Sequence, residues 1–279
     1  MWFLGTILTT ICFGINNAIF KWSTAKGYSK VNLQFFFYFS AFILTLSYGI
    51  RSHSIHLNLS VFFLGALIGI LNAYGNIQMS KAYENGPAST TALIISANAI
   101  LPVLSAGLIF HEQISASQWI GIALILSSVV AIQYTPKKAQ IHTNYSSWMF
   151  RMLLAFLSFG ILGVLMKFAS NLNISSINLF ISLYGGGSVY LLMMMINGKE
   201  KVSFPVVKLG ALVGVISVTG YSSYFFALQT GMASIVFPIV SLNCLVVVFV
   251  GCVVFNEKLK TYQIVGVFSA VMGIVLTKL

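Results

Sequence analysis

Ten apolar runs alternate with short polar stretches along the chain. They cover 2–21, 31–50, 60–81, 88–110, 118–134, 147–168, 175–196, 205–227, 233–255 and 262–277. The stretches between them carry residues that end helices. They include Lys26-Gly27 with Lys30, Arg51 to Asn58, Glu84-Asn85-Gly86-Pro87, His111 to Ser117 and Thr135 to Ser146. Asn171 to Asn173, Asn197 to Lys201, Thr230-Gly231 and Asn256 to Lys260 complete the set. One bilayer crossing takes about 20 apolar residues. Backbone groups in lipid must bond within their own segment, and the runs are too long for barrel strands, so the pattern predicts ten transmembrane helices. Trp2 to Phe20 has no basic n-region and no small-residue cleavage site before Lys21, so it reads as a retained first helix.

The pattern repeats. Leu64-Gly65-Ala66-Leu67-Ile68-Gly69 recurs 145 residues later as Leu209-Gly210-Ala211-Leu212-Val213-Gly214. At the same offset Gly75 meets Gly220, Ala88-Ser89 meets Ala233-Ser234 and Asn98 meets Asn243. Glu112 meets Glu257 and Gln118 meets Gln263. At an offset of 146, Lys21 meets Lys167 and Asn32-Leu33 meets Asn178-Leu179. The chain is two copies of a five-helix unit. An odd helix count makes the second copy enter the membrane from the opposite side, so the copies are inverted repeats. The expected fold class is an all-α polytopic membrane protein, with a first repeat at 1–134, a connecting loop at 135–146 and a second repeat at 147–279.

Composition narrows the function. The chain is 58% hydrophobic and 7% charged, with a mean hydropathy of +0.94. A soluble domain carries about 25% charged residues, so a soluble enzyme and a nucleic-acid module are excluded. The net charge of +11 comes from basic residues spread singly over short connections. In the first copy, connections 1–2 and 3–4 carry Lys26, Lys30 and Lys81, while 2–3 and 4–5 carry Arg51. In the second copy, connections 7–8 and 9–10 carry Lys199, Lys201, Lys208, Lys258 and Lys260. With Lys137-Lys138 these all fall on one side, which the positive-inside rule makes cytoplasmic, leaving both termini outside. Cys12, Cys244 and Cys252 sit in apolar runs and read as packing residues rather than a disulfide frame.

A family resemblance rests on particular residues. The stretch Lys81-Ala82-Tyr83-Glu84-Asn85-Gly86-Pro87-Ala88-Ser89 is followed by Pro102, Phe110-His111-Glu112-Gln113-Ile114-Ser115, Gln118 and Gly121. The second copy repeats it with Ala227 to Ser234, Glu257-Lys258-Leu259-Lys260-Thr261, Gln263 and Gly266. The doubled pattern resembles the drug/metabolite transporter superfamily, EamA-like branch, over essentially the whole chain. The resemblance implies a ten-helix secondary transporter, often an exporter of amino acids or other small metabolites. It also implies termini in the cytoplasm, where the loop charges of this chain point the other way.

Inverted-repeat transporters bind substrate near the midplane, so polar residues at mid-helix are the candidates. Asn16, Asn17, Tyr74, Asn98, Tyr221 and Asn243 are the candidate substrate-binding residues. Lys21 and Lys167 are expected near the cavity mouth, and Asn72, Asn76, Gln78, Ser222 and Tyr224 along its wall. The competing role for each amide is a helix–helix hydrogen bond, and for each lysine a reach to the interface. Ser96 and Ser241 read as packing residues. Glu112 and Glu257 read as caps of the helices that follow them. Gly65 with Gly69 and Gly210 with Gly214 read as sites of close helix approach, and Gly185-Gly186-Gly187 as a bend or a packing site.

His53 and His56 lack a third ligand nearby, so no metal and no cofactor are expected. All four acids lie in connections, which argues against a carboxylate-driven multidrug or cation antiporter. A membrane-embedded enzyme would need clustered catalytic groups that the helices lack. A non-transporting subunit would have no need of polar helix centres. The expected function is secondary transport of a small neutral, zwitterionic or anionic metabolite. The expected partners are that solute and the lipid bilayer, with no nucleic acid, and the protein is a monomer or homodimer. The expected location is a membrane that the chain crosses many times, the cytoplasmic membrane if the source is a bacterium.

Overall fold

The apolar runs are helices. In chain order they are α1 (Trp2–Ala25), α2 (Lys30–Arg51), α3 (Leu59–Asn85), α4 (Ile100–Leu108), α5 (Ala116–Gln133) and α6 (Tyr145–Asn171). Then come α7 (Ser176–Gly198), α8 (Phe204–Thr230), α9 (Ala233–Ser241), α10 (Asn243–Phe255) and α11 (Thr261–Leu276). The structure is a computed structural model. It describes all residues except 57, 86–90, 92, 93, 96, 135–144, 199–201, 256–259 and 279, and the side chains of 25, 83–85, 251 and 253–255 also lie outside the description. Most of the expected connecting loop, with Lys137-Lys138, therefore lies outside the described residues, as do Ser89, Ser96, Lys199, Lys201, Glu257 and Lys258.

Among the described residues, eight helical stretches are long and apolar enough to cross a membrane, with α9 and the start of α10 counted as one of them. Two shorter apolar stretches, Ala97–Leu108 and Thr261–Leu276, stand where the fourth and tenth segments are expected. The chain is an all-α polytopic membrane protein.

The ninth segment departs from the continuous helix expected over 233–255. It breaks at Leu242, between α9 and α10. Pro238 lies inside α9 and has no N–H to give its ladder. The Leu242 N–H bonds to the Ile239 carbonyl at 3.1 Å, three residues back. Two side chains take carbonyls beside the break: Ser241 Oγ donates to the Pro238 oxygen at 2.5 Å and Asn243 Nδ2 to the Val240 oxygen at 3.0 Å. The fourth segment, expected over 88–110, carries a 3₁₀ turn at Ala97–Ala99 just before α4, at the corresponding position.

Helix packing follows the repeat. α3 packs on α6 and α7, and its counterpart α8 packs on α1 and α2. α1 packs on α10, and α6 on α4. α2 packs on its own counterpart α7, and α5 on its counterpart α11. Exchanging the two repeats returns the same set of neighbours, which is what inverted repeats around one axis require.

Small residues set these contacts. A Cβ at Gly65 would stand 2.5 Å from Ser182 Cβ, and one at Gly69 would run into the Leu183 carbonyl. In the mirrored contact a Cβ at Gly210 would stand 2.6 Å from Phe36 Cβ, and one at Gly214 would run into Ser40. The two Gly-x-x-x-Gly pairs thus bring α3 onto α7 and α8 onto α2. Gly185-Gly186-Gly187 serves packing: α7 is unbroken there, Gly186 lies against Ala66 and Gly187 against Tyr38.

The helix starts follow their caps. Ser29 accepts from the Asn32 N–H at 3.1 Å to open α2. Ser115 and Gln118 form a reciprocal capping box that opens α5, with bonds of 3.3 and 3.0 Å. At the start of α11 only half of that box exists: Gln263 accepts from the Lys260 N–H at 3.0 Å, and the lysine side chain has no acceptor to return it. The Ser/Thr-then-Gln spacing of the sequence motif is a helix-start signal.

Candidate substrate site

α2 and α7 cross where the repeats meet, and there they bring together Tyr38 and Tyr184. The two residues are 146 positions apart and occupy equivalent places in the two repeats. Both are 0% exposed. Among the described residues the Tyr184 hydroxyl has no hydrogen-bond partner, and the Tyr38 hydroxyl has none of ordinary geometry, with the Asn72 side chain the polar group beside it. Leaving a buried hydroxyl unpaired costs about 1–3 kcal/mol, a cost that persists where the group has a second use. Beside them Asn72 Nδ2 donates to the Tyr221 hydroxyl at 2.7 Å, and Asn76 Nδ2 donates to Asn72 Oδ1 at 3.3 Å. Tyr221 stands edge-on to Tyr184, with ring centroids 6.2 Å apart. Asn16 Nδ2 reaches across from α1 to Ser217 Oγ at 2.8 Å, while its Oδ1 is buried without a partner. The group can offer hydroxyls, an amide oxygen and aromatic faces to a small solute.

The two ends of the bundle differ. Chain direction places the start of α1, the α4–α5 connection, the end of α6 and the start of α9 at one end, with both termini. There Glu112 joins the repeats. Its carboxylate accepts the Ala233 N–H at 2.9 Å, the Ser234 N–H at 2.9 Å and the Ser234 hydroxyl at 2.8 Å. It also pairs with Lys167 Nζ at 3.0 Å, and both side chains are about nine-tenths buried. Burial raises the Glu112 pKa, but the Ser234 and Ala233 N–H groups, the Ser234 hydroxyl and Lys167 outweigh it, and the carboxyl stays below its ordinary value. Behind this pair Tyr221, Tyr224, Phe13 and Phe237 pack ring against ring. At the other, lysine-rich end, Asn17 and Lys21 are exposed. They lie on the side of α1 away from its lipid-facing stripe of Leu4, Leu8, Ile11 and Ile15. Their counterparts on α6, Gly163 and Lys167, are buried. Equivalent positions of the two repeats thus differ in exposure, open on α1 and buried on α6.

The profile of the EamA-like transporter family matches residues 1–134 and 146–279. The chain belongs to that family. It is an integral multi-pass membrane transporter of the drug/metabolite transporter superfamily, in a family of transporters rather than enzymes. It is 25% identical over 211 residues to an uncharacterized protein of Haemophilus influenzae, covering 74% of this chain and 72% of that one. A solved crystal structure shares its fold with a TM-score of 0.77 at 10% identity, covering 99% of this chain and 95% of the other.

In this EamA-like transporter the expected site residues divide into three groups. Asn16, Asn72, Asn76, Tyr221 and Tyr224 come together around the tyrosine pair. Asn17, Asn98 and Asn243 mark the helix breaks. Asn98 Nδ2 donates to the Ile95 carbonyl at 2.6 Å as Asn243 does to Val240, and Asn17 Nδ2 donates to Asn243 Oδ1 at 3.1 Å. The rest lie elsewhere. Tyr74 continues the outward stripe of Phe63, Leu67 and Ile70. Ser222 lies among exposed Val215, Thr219 and Phe226. A helix face, not the polar content of a segment, decides what a residue lines. Gln78 turns to α6, where Arg151 Nη1 donates to it at 3.4 Å.

Two further expectations need correction. Lys167 does not reach for the interface; it is held by Glu112 and also donates to the Leu228 carbonyl at 3.4 Å. Glu112 does not cap α5, which Ser115 caps; it caps α9 of the other repeat. Tyr38 and Tyr184 were absent from the sequence candidates. The 146 offset that pairs Lys21 with Lys167 also pairs these two tyrosines, and that was the available signal.

Proposed function

We propose that this EamA-like transporter exports a small polar metabolite, an amino acid or a similar neutral, zwitterionic or anionic solute, by alternating access between its inverted repeats. The observation that carries the reading is the Tyr38–Tyr184 pair, two buried hydroxyls at the contact of equivalent helices, that of Tyr184 without a partner among the described residues and that of Tyr38 with only Asn72 beside it. Binding at such a place is the arrangement inverted repeats favour. No glutamate stands at mid-helix in the sequence, so the site lacks a fixed negative charge to hold a compact cation. Amides, hydroxyls and ring faces suit a solute that brings its own polar groups. Export fits the exposed Asn17 and Lys21 at the lysine-rich end, the end that the positive-inside rule places in the cytoplasm, so loading starts there. In a bacterium the location that follows is the cytoplasmic membrane. One chain holds both repeats, so a monomer is a complete unit, and a homodimer holds two. Purified protein in liposomes, tested against labelled amino acids and related metabolites, measures this directly. Saturable transport of one such solute supports the reading. A quaternary ammonium dye as best substrate overturns it.

A further inference from the structure

The two repeats are alike at the tyrosine pair and unlike on either side of it. One turn from Tyr38, on the same face of α2, stands Gln34. It is 4% exposed, and its amide oxygen has no partner among the described residues. The equivalent residue, one turn from Tyr184 on α7, is Phe180. Its ring centroid lies 5.9 Å from that of Phe225 and 6.5 Å from that of Tyr221. Chain direction puts Gln34 on the lysine-rich side of the tyrosines and Phe180 on the termini side. Two more equivalent pairs differ in the same sense. Asn16, whose amide oxygen is also buried without a partner among the described residues, matches Leu162, and Asn76 matches Tyr221. Farther out on the termini side Phe225 is fully buried and Phe237 packs on Tyr224, where the first repeat has Ser80 and Ala92 in sequence. Ala92 lies outside the described residues and enters by its identity alone. Phe20 with Met166 and Phe37 with Leu183 are large and apolar in both repeats and favour neither side.

We propose that this broken symmetry orients the solute, with an amino group in the lysine-rich half, where Gln34 and Asn16 accept its N–H bonds, and a bulky apolar side chain in the termini half against Phe180. The inference rests on the transport reading and names the solute class within it: a neutral zwitterion of the amino-acid kind with a side chain of leucine size or larger. Both unpartnered oxygens are amide acceptors, so the group that satisfies them is a donor. A bond from an ammonium to such an acceptor is of the stronger, charge-assisted kind. A compact cation brings the same donor without a carboxylate of its own, and the sequence has no mid-helix glutamate to balance it. The tyrosine hydroxyls between the two halves can donate to the carboxylate of a zwitterion. Ring faces on the termini side reward an apolar side chain by burial and offer a polar one little. Gln34 therefore reads the head of the solute and Phe180 its tail.

The test reads ratios of kcat/KM within one variant, which do not depend on how much protein has folded. Proteoliposomes are given labelled leucine, glycine, and isocaproate, which is leucine without its amino group. The wild type should prefer leucine to each of the other two by about tenfold or more. Gln34→Met keeps the size of the side chain and removes its acceptor. It should bring the ratio of leucine to isocaproate close to one and leave the ratio of leucine to glycine in place. Gln34→Glu keeps an acceptor and should retain the first preference. Phe180→Ala should cut the ratio of leucine to glycine by about tenfold and leave the other in place. A ratio that stays unchanged in its own variant overturns the assignment of that residue. A wild type that carries glycine or isocaproate as well as leucine overturns the orientation. So does a wild type that carries none of the three but does carry another small polar metabolite, and in that case the transport reading stands. Transport of no small polar solute at all is the failure of that reading itself.

Discussion

Tyr38 and Tyr184 meet edge to face where α2 crosses α7, with ring centroids 5.9 Å apart and planes at 70°. They are the same residue of the two repeats. A pair placed on the axis that relates the repeats keeps its chemistry when the repeats exchange conformations. A solute held by it meets the same groups whichever end is open.

That relationship predicts the effect of removing either hydroxyl. Tyr38→Phe and Tyr184→Phe should each raise the KM for the transported solute about tenfold, the worth of a hydrogen bond to a polar ligand. Thermal stability should hold or rise slightly, because an unpaired buried hydroxyl is lost with its shape retained. Transport kinetics in liposomes, with unfolding followed on the same preparations, check both halves. A falling Tm with unchanged KM would make the tyrosines structural.

Asn98 and Asn243 stand at the two helix breaks and each bonds the carbonyl three residues back. Replacing either by Leu makes its segment more apolar, so insertion into the membrane should be preserved. The freed carbonyl is then left without its donor, and for Asn243 the bond to Asn17 is lost as well. Transport should fall by about tenfold or more at unchanged expression, in line with the loss of a buried bond at a functional break. Wild-type rates in both variants would show that the breaks need no amide.

The fold was legible because its causes are local. Hydrophobic run length dictates the spans, and the 145-residue offset carries Gly65, Gly69, Gly210 and Gly214, whose missing side chains set the helix crossings. Asn16, Asn72 and Tyr221 were legible as polar residues that apolar helices must place inward. Tyr74 and Ser222 were misplaced because the polarity of a segment does not give the direction of each side chain; both continue stripes of residues that face the lipid. The cap made by Glu112 was hidden for a different reason. Its bonds to Ala233 and Ser234 span about 120 positions, and no local pattern encodes a helix start capped from the other repeat.

Loop charge predicts orientation. Lys26, Lys30, Lys81, Lys208 and Lys260 gather at one end, while the other carries Arg51, Lys278 and the paired Lys167. The lysine-rich end should be cytoplasmic and both termini external. A reporter fused after Leu279 that is active only outside the cytoplasm should give signal, and its cytoplasm-specific counterpart should be silent. The reverse pattern would turn the proposed exporter around.

Glu112 gives a pH signature with a definite sign. Its carboxyl lies below the ordinary value in the folded protein, since burial, which raises the pKa, is outweighed by the Ser234 and Ala233 N–H groups, the Ser234 hydroxyl and Lys167. A depressed carboxylate stabilises the fold above its unfolded pKa of about 4.3, and that stability fades as pH falls through the lower folded value. The Tm difference between wild type and Glu112→Gln should therefore be positive and steady from about pH 8 down to about pH 5, then shrink as acid protonates the wild-type carboxylate. Thermal unfolding of both proteins in one detergent across that range measures it. A difference that instead shrinks near neutral pH would mean that the carboxylate takes up a proton under physiological conditions and that its ion pair with Lys167 is lost there. A difference that survives to about pH 6 and below means that Glu112 stays charged, paired with Lys167 and capping α9, throughout the physiological range.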